Sequence, residues 1–124
     1  MEAAASNTRL RGAALKIAIL NCLRANEVCT GSACFRAFNT RTAHFSGYGD
    51  TPLELVAMAR CNGCGNGLND GFRKKLDRIV QVEAEVCHLG HCTRRGEPKE
   101  ECPTITEAAR YLEARGVRIL RGTH

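Results

Sequence analysis

Four aliphatic runs separated by three stretches of helical character predict an α/β fold built on a four-stranded parallel sheet. Three observations carry this. The runs at residues 15–20, 53–59, 84–89 and 117–120 are short and nearly continuous, as strands covered on both faces are. The connections between them are roughly 30, 23 and 27 residues long, enough for the crossover that parallel strands require. Hydrophobic residues make up 44% of the chain with no tryptophan, so an aliphatic core can form without disulfide support at this size.

Each element has its own signal. The first run, LKIAIL, leads directly into Asn21 and Cys22. The second follows Pro52 and ends at Cys61, and both the first and second runs read as strands buried on two faces. The third ends shortly before Cys92, and the fourth stops near His124. Between the first two, Thr30 is placed to cap a short helix holding Cys34, Ala37 and Phe38, and residues 44–51 read as a loop rich in Gly, Ser and Asp. Leu68, Phe72, Leu76, Ile79 and Val80 make the apolar stripe of the second helix. Pro103 and the Thr104–Glu107 capping-box pattern open the third, whose stripe is Ile105, Ala108, Ala109 and Leu112, with Gly116 placed to stop it. The sequence of elements is βαβαβαβ. By analogy with flavodoxin-like three-layer sandwiches, the expected strand order is 2-1-3-4. Residues 1–14 read as a mobile tail, and residues 15–124 as a single domain.

Composition excludes several classes of function. The net charge of +5 is dispersed, and the basic residues from Arg73 to Arg78 are interrupted by Asp77 and face away from an apolar stripe. Aromatic residues make up 5%, too few for a stacking platform, so no nucleic-acid partner is expected. No run is long enough to span a bilayer, so no membrane partner is expected either. The absence of a secretory signal pattern leads to the expectation of a cytoplasmic protein, where eight cysteines serve as ligands or redox groups rather than as a disulfide framework. The glycines at 63, 65 and 67 miss the spacing of a nucleotide loop, and no Walker motif is present.

Seven of the eight cysteines are expected at one rim of the sheet. Cys22, Cys61 and Cys92 lie at or beside strand ends, and the carboxyl ends of strands in an open parallel sheet form the ligand crevice. Cys61-Asn62-Gly63-Cys64 has the spacing that lets two sulfurs hold one metal, and it precedes a helix whose N-terminus favours thiolate. Cys29 and Cys34 fall in the first strand-to-helix connection, Cys102 just before the third helix. These spacings match no zinc-finger knuckle pair and make sense only if the fold brings the loops together. Cys87, in mid-strand, reads as a buried small hydrophobe, and His88 as a satisfied core histidine. His91 immediately precedes Cys92, and His44 is a loop histidine with no evident partner.

At these residues the chain resembles the CGGC-domain family of small cysteine-rich proteins. The matching pieces from residue 16 to 124 are KIAILNC, VCTGSAC, RCNGCGNG, HLGHC, ECP and the terminal GTH. The family's Cys-Gly-Gly-Cys is Cys-Asn-Gly-Cys here, and Gly65 stands where the family often has Pro. The resemblance implies cysteine/histidine metal binding, with Cys22, Cys29, Cys34, Cys61, Cys64, Cys92, Cys102 and His124 at the matching positions. Zinc is the simplest metal for such a set, and a [4Fe–4S] cluster is the close alternative because seven thiols exceed one zinc's needs. The competing expectation is a thiol–disulfide oxidoreductase or redox sensor, with Cys61 attacking, Cys64 resolving and an electron-transfer or redox partner.

Overall fold

The computed structural model describes residues 13–124, so most of the expected tail, residues 1–12, lies outside the described residues. The elements follow in the order β1 (Leu15–Asn21), α1 (Ser32–Thr40), β2 (Leu53–Arg60), α2 (Asp70–Gln81), β3 (Val86–Leu89), β4 (Arg94–Arg95), β5 (Glu100–Glu101), α3 (Pro103–Glu113) and β6 (Arg118–Arg121). The four main strands form one parallel sheet in the order β2-β1-β3-β6, which is the expected 2-1-3-4.

Alternation along β1 builds the layers. Ala18 and Leu20 join Phe72, Leu76, Ile79, Ile105, Ala108 and Leu112 in the apolar layer under α2 and α3. Ile17 and Ile19 face the other way, onto Cys34, Ala37 and Phe45. The result is a three-layer flavodoxin-like sandwich in which a period of two on the strand meets a period near four on the helices.

Several local expectations are corrected. β2 is half-buried rather than buried on both faces, because it is the edge strand of the sheet. Residues Ala43–Tyr48 form a 3-10 helix rather than a loop, with Phe45 fully buried on the α1 side. The cap of α1 is Gly31 in the left-handed region, not Thr30. Thr30 instead accepts from Ser32 N–H at 3.2 Å. The cap of α3 is Cys102, with Pro103 as its first residue, so Thr104 lies inside the helix. Proline suits that place, since the N–H it lacks would be unpartnered there anyway. Asn69 caps α2 and accepts from Phe72 N–H at 3.0 Å.

The small hairpin β4–β5 had no periodic signal. Its pairs are Arg94 with Glu101 and Arg95 with Glu100, opposite charges across the strands. Glu101 also accepts from Arg121 Nε of β6 and from Thr106 Oγ1 of α3, both at 2.6 Å, which pins the hairpin to the sheet. Among the described residues, no helix is long and apolar enough to cross a membrane.

Candidate functional site

The turn after β1 gathers the loops that follow the other strands. Cys22 N–H donates to Cys92 Sγ at 3.2 Å, and Leu23 N–H donates to Cys61 Sγ at 3.3 Å. Two consecutive backbone donors therefore reach sulfurs from the loops after β3 and β2. Cys61 N–H returns to Asn21 O at 3.1 Å, and Gly90 N–H to Leu20 O at 2.9 Å, so the three strand ends are tied at one rim. Cys22 and Cys61 are buried, Cys92 is half-buried, and all eight cysteines are free thiols.

The thiols crowd one another without forming a single ring. Burial pushes the Cys22 thiol up, backbone donors at Arg24 and Ala25 oppose this, and neighbouring Cys61 and Cys64 push it further up. Burial also raises the Cys92 thiol. The Cys22 N–H opposes that shift, while Cys22, Cys34 and Cys29 reinforce it. Cys61 borders the apolar layer under α2 and α3, whereas Cys34 belongs to the layer on the α1 side. The cluster thus straddles the rim, with Cys22 and Cys92 on the crest between the two sides. Among the described residues, no group of three or more His, Cys, Asp or Glu side chains is arranged to hold a metal ion.

The Cys61–Cys64 turn is held from below. Asn62 Oδ1 accepts from Lys75 Nζ at 2.6 Å, and Asn62 Nδ2 donates to Asn69 Oδ1 at 3.1 Å. Lys75 also donates to Arg60 O at 2.8 Å, and Asn66 Nδ2 to Asn62 O at 2.6 Å. Gly63 has φ +103°, a conformation L side chains rarely adopt, so glycine is required in the turn. The turn leaves Cys61 7% exposed and Cys64 open to solvent. The helix N-terminus expected beside the pair is further off, since α2 begins at Asp70. Positive charge comes instead from Arg95 Nη2, 3.6 Å from Cys64 Sγ, and Arg24 Nη1, 3.9 Å from it.

The remaining expected residues lie around this centre. Cys29 Sγ accepts from Gly31 N–H at 3.3 Å, a local bond within its own turn. Cys34 Sγ is 3.2 Å from Thr123 Oγ1, and both groups are buried. Cys102 packs at the margin of the layer under α2 and α3, and its N–H donates to Thr93 O at 2.9 Å. His124 is exposed, its ring centroid 5.7 Å from that of His91. His44 is tied by its backbone N–H, which donates to Thr123 O at 3.3 Å, and its ring lies against Gly122. An open groove of about 540 Å³ between β2 and α2, lined by Val56, Met58, Ile79 and Val82, adjoins this rim through Leu23, Arg60 and Lys75 and carries no thiol.

Sequence reasoning missed Arg24, Arg95, Thr123 and Asn21. The two arginines had a signal: each follows a rim cysteine by two or three positions, in a loop whose destination was already inferred. Asn21 had none.

No curated protein and no solved structure matches the chain. The profile of the CGGC domain matches residues 16–124, which include the four parallel strands apart from Leu15 and every cysteine. The chain belongs to the CGGC domain family.

Proposed function

We propose that the rim thiols bind a soft metal, zinc as first choice and a [4Fe–4S] cluster as the alternative. The carrying observation is the pair of backbone donors, Cys22 N–H and Leu23 N–H, aimed at sulfurs from two other loops. A hydrogen bond to sulfur favours the charged thiolate, which is the form that ligates. Burial and mutual repulsion hold Cys22 and Cys92 above the usual thiol range, and a cation relieves both effects at once. The donor set suits zinc in type. Cys22, Cys61, Cys64 and Cys92 would hold the ion, brought to one rim by the ends of three strands. Cys29, Cys34, Cys102 and His124 stand around them as further ligands for a second ion or a cluster. The metal supplies a crosslink between three strand ends, and ligation of this kind couples to folding. Free thiols in this number suit a reducing compartment such as the cytoplasm.

A second reading rests on Cys64. It is exposed and receives two guanidinium groups, the setting of an attacking sulfur. Buried Cys61 is then the resolving thiol, the reverse of the assignment expected from sequence. In that chemistry Cys64 thiolate attacks a partner disulfide and expels one thiolate. Cys61 thiolate then attacks Cys64 Sγ and expels the partner's second sulfur as thiolate, so that a Cys61–Cys64 disulfide remains and the partner disulfide has gained two electrons.

Anaerobic purification, metal analysis and a visible spectrum test the choice. Cys61→Ser and Cys64→Ser are expected to lose bound metal, while Cys87→Ala keeps it. Zinc gives no colour, and an iron–sulfur cluster gives a visible band. Equal metal loss in all three variants refutes the ligand assignment. Metal-free protein with disulfide-reductase turnover that depends on Cys64 establishes the second reading.

A further inference from the structure

Residues 56–60 of β2 are consecutive, and all of them line the open groove of about 540 Å³ between β2 and α2. Side chains alternate along a strand, so a groove on one face of the sheet would meet only every second residue. Val56, Ala57 and Ala59 pack towards the layer under α2 and α3, and Met58 towards the α1 side. The groove therefore opens over the outer edge of the strand, main chain included. β2 has β1 on one side and, among the described residues, no strand on the other. Cys61 N–H points to β1, where it donates to Asn21 O at 3.1 Å. Alternation then turns the main-chain groups of Met58 and Arg60 outward. Arg60 O fits this, since it accepts from Lys75 Nζ of α2 at 2.8 Å. The main-chain groups of Met58 and the N–H of Arg60 are left as an edge that an added strand can use.

The lining gives that edge a chemical preference. Leu23 and Val82 are exposed apolar residues on its border. Its charged residues are Arg60, Lys75 and Arg78, and no acidic residue lines it. The Lys75 amino group is held by Arg60 O and Asn62 Oδ1. The Arg60 and Arg78 guanidinium groups have no hydrogen-bond or ion-pair partner among the described residues.

A bulge in β2 separates the possible occupants. Leu55 pairs with Ile17 and Ala57 with Ala18, so Val56 is an extra residue. It interrupts the edge that a second β2 would have to match along its length. A second copy would also set Arg60 and Arg78 against their own counterparts. A short extended segment avoids both difficulties by pairing beyond the bulge.

We propose that the groove between β2 and α2 is a docking surface for an extended acidic segment of a partner protein. The segment adds a strand to β2 at Met58 and Arg60, rests apolar side chains on Val56 and Val82, and presents carboxylates to Arg60 and Arg78. Arg60 immediately precedes Cys61, so one end of the segment comes to lie beside the thiol turn. The proposal is independent of the metal and redox readings, since no cysteine lines the groove.

The test is an NMR titration of the full 15N-labelled chain with the capped peptide Val-Glu-Val-Glu-Val. The other probes are Val-Lys-Val-Lys-Val, the acidic peptide with its main-chain nitrogens methylated, and sodium acetate. The amide signals of Met58 and Arg60 are expected to move saturably with the acidic peptide and with none of the other three. Arg78→Glu retains both signals and replaces an exposed, unpaired cation, so the variant should fold as the parent does. Its affinity for the acidic peptide should fall about tenfold or more, as for a lost hydrogen bond between charged groups. The comparison among probes holds whatever the variant does. Unmoved Met58 and Arg60 signals, equal movement with the lysine peptide, the methylated peptide or acetate, or unchanged affinity in folded Arg78→Glu overturns the proposal. Signals that shift when the chain alone is diluted identify a second copy as the occupant and overturn it too.

Discussion

Within six residues this chain places a cysteine beside a histidine twice, and the two pairs have little in common. Cys87 and His88 lie inside β3 with no exposed surface. His91 and Cys92 lie in the turn after it, His91 exposed and Cys92 half-buried among other thiols. Within β3 each group is accounted for. His88 Nδ1 is 2.7 Å from Gly122 O, and a carbonyl only accepts, so the ring proton sits on Nδ1. Nε2 then accepts from Tyr48 O–H at 2.7 Å. The Phe45 ring stacks on the imidazole, centroids 4.2 Å apart. Burial pushes the Cys87 thiol up to about 12 and holds His88 down to about 4. Neither changes charge near neutral pH. The comparison teaches that residue type does not decide the role here. Distance from the carboxyl end of the strand does.

Three experiments break or sharpen this contrast. The largest effect is expected from His88→Ala. It removes a fully buried ring and leaves Tyr48 O–H and Gly122 O without their partner. The cost should be roughly 3–5 kcal/mol by urea unfolding. A loss under about 1 kcal/mol would mean the ring is not the packed, bonded group described.

The second effect is a loss of stability in acid. The folded pKa of His88 lies near 4 against an ordinary value of 6.5, because burial outweighs the Gly122 carbonyl, with His44 adding to the depression. The unfolded chain therefore binds more protons between those values, and stability rises with pH across that window. The contribution is fully present above pH 6.5 and fades as pH falls towards 4. At ~1.4 kcal/mol per unit this amounts to ~3 kcal/mol. Urea titrations at several pH values check it, and the slope should be absent from His88→Gln.

The smallest effect is expected from His91→Ala. The side chain is exposed and its described ring contact is with His124, so stability should change by less than about 0.5 kcal/mol. A loss comparable to that of His88→Ala would erase the distinction between the two pairs.

The strands were legible because each apolar run is continuous and each connection is long enough for one crossover, whereas their order came from analogy with flavodoxin-like sheets. The arrival of Cys22, Cys61 and Cys92 at one rim followed from strand direction alone. Other features depend on contacts between distant residues, which leave no periodic trace. Phe45 is a single apolar residue in a polar stretch, yet it anchors the 3-10 helix that brings Tyr48 to His88. The half-burial of β2 comes from its place at the sheet edge, a property of the assembled order rather than of its residues. Arg24 and Arg95 act on Cys64 from two other loops. Asn21 looked like an ordinary strand end until its carboxamide was found buried without a partner.

The hydrogen bonds of Asn62 have an entropic consequence. A Cys-Gly-Gly-Cys turn has two residues that each lose more backbone freedom on ordering than any other type. Here one of the two is an asparagine fastened to Lys75 and Asn69, so part of that loss falls on folding rather than on association. A turn ordered in advance gives a partner tighter capture for the same contacts. It also adapts less to a partner of another size. The rigidity of the turn between Cys61 and Cys64 is thereby set by Lys75 of α2 and by its cap Asn69, from outside the thiol cluster.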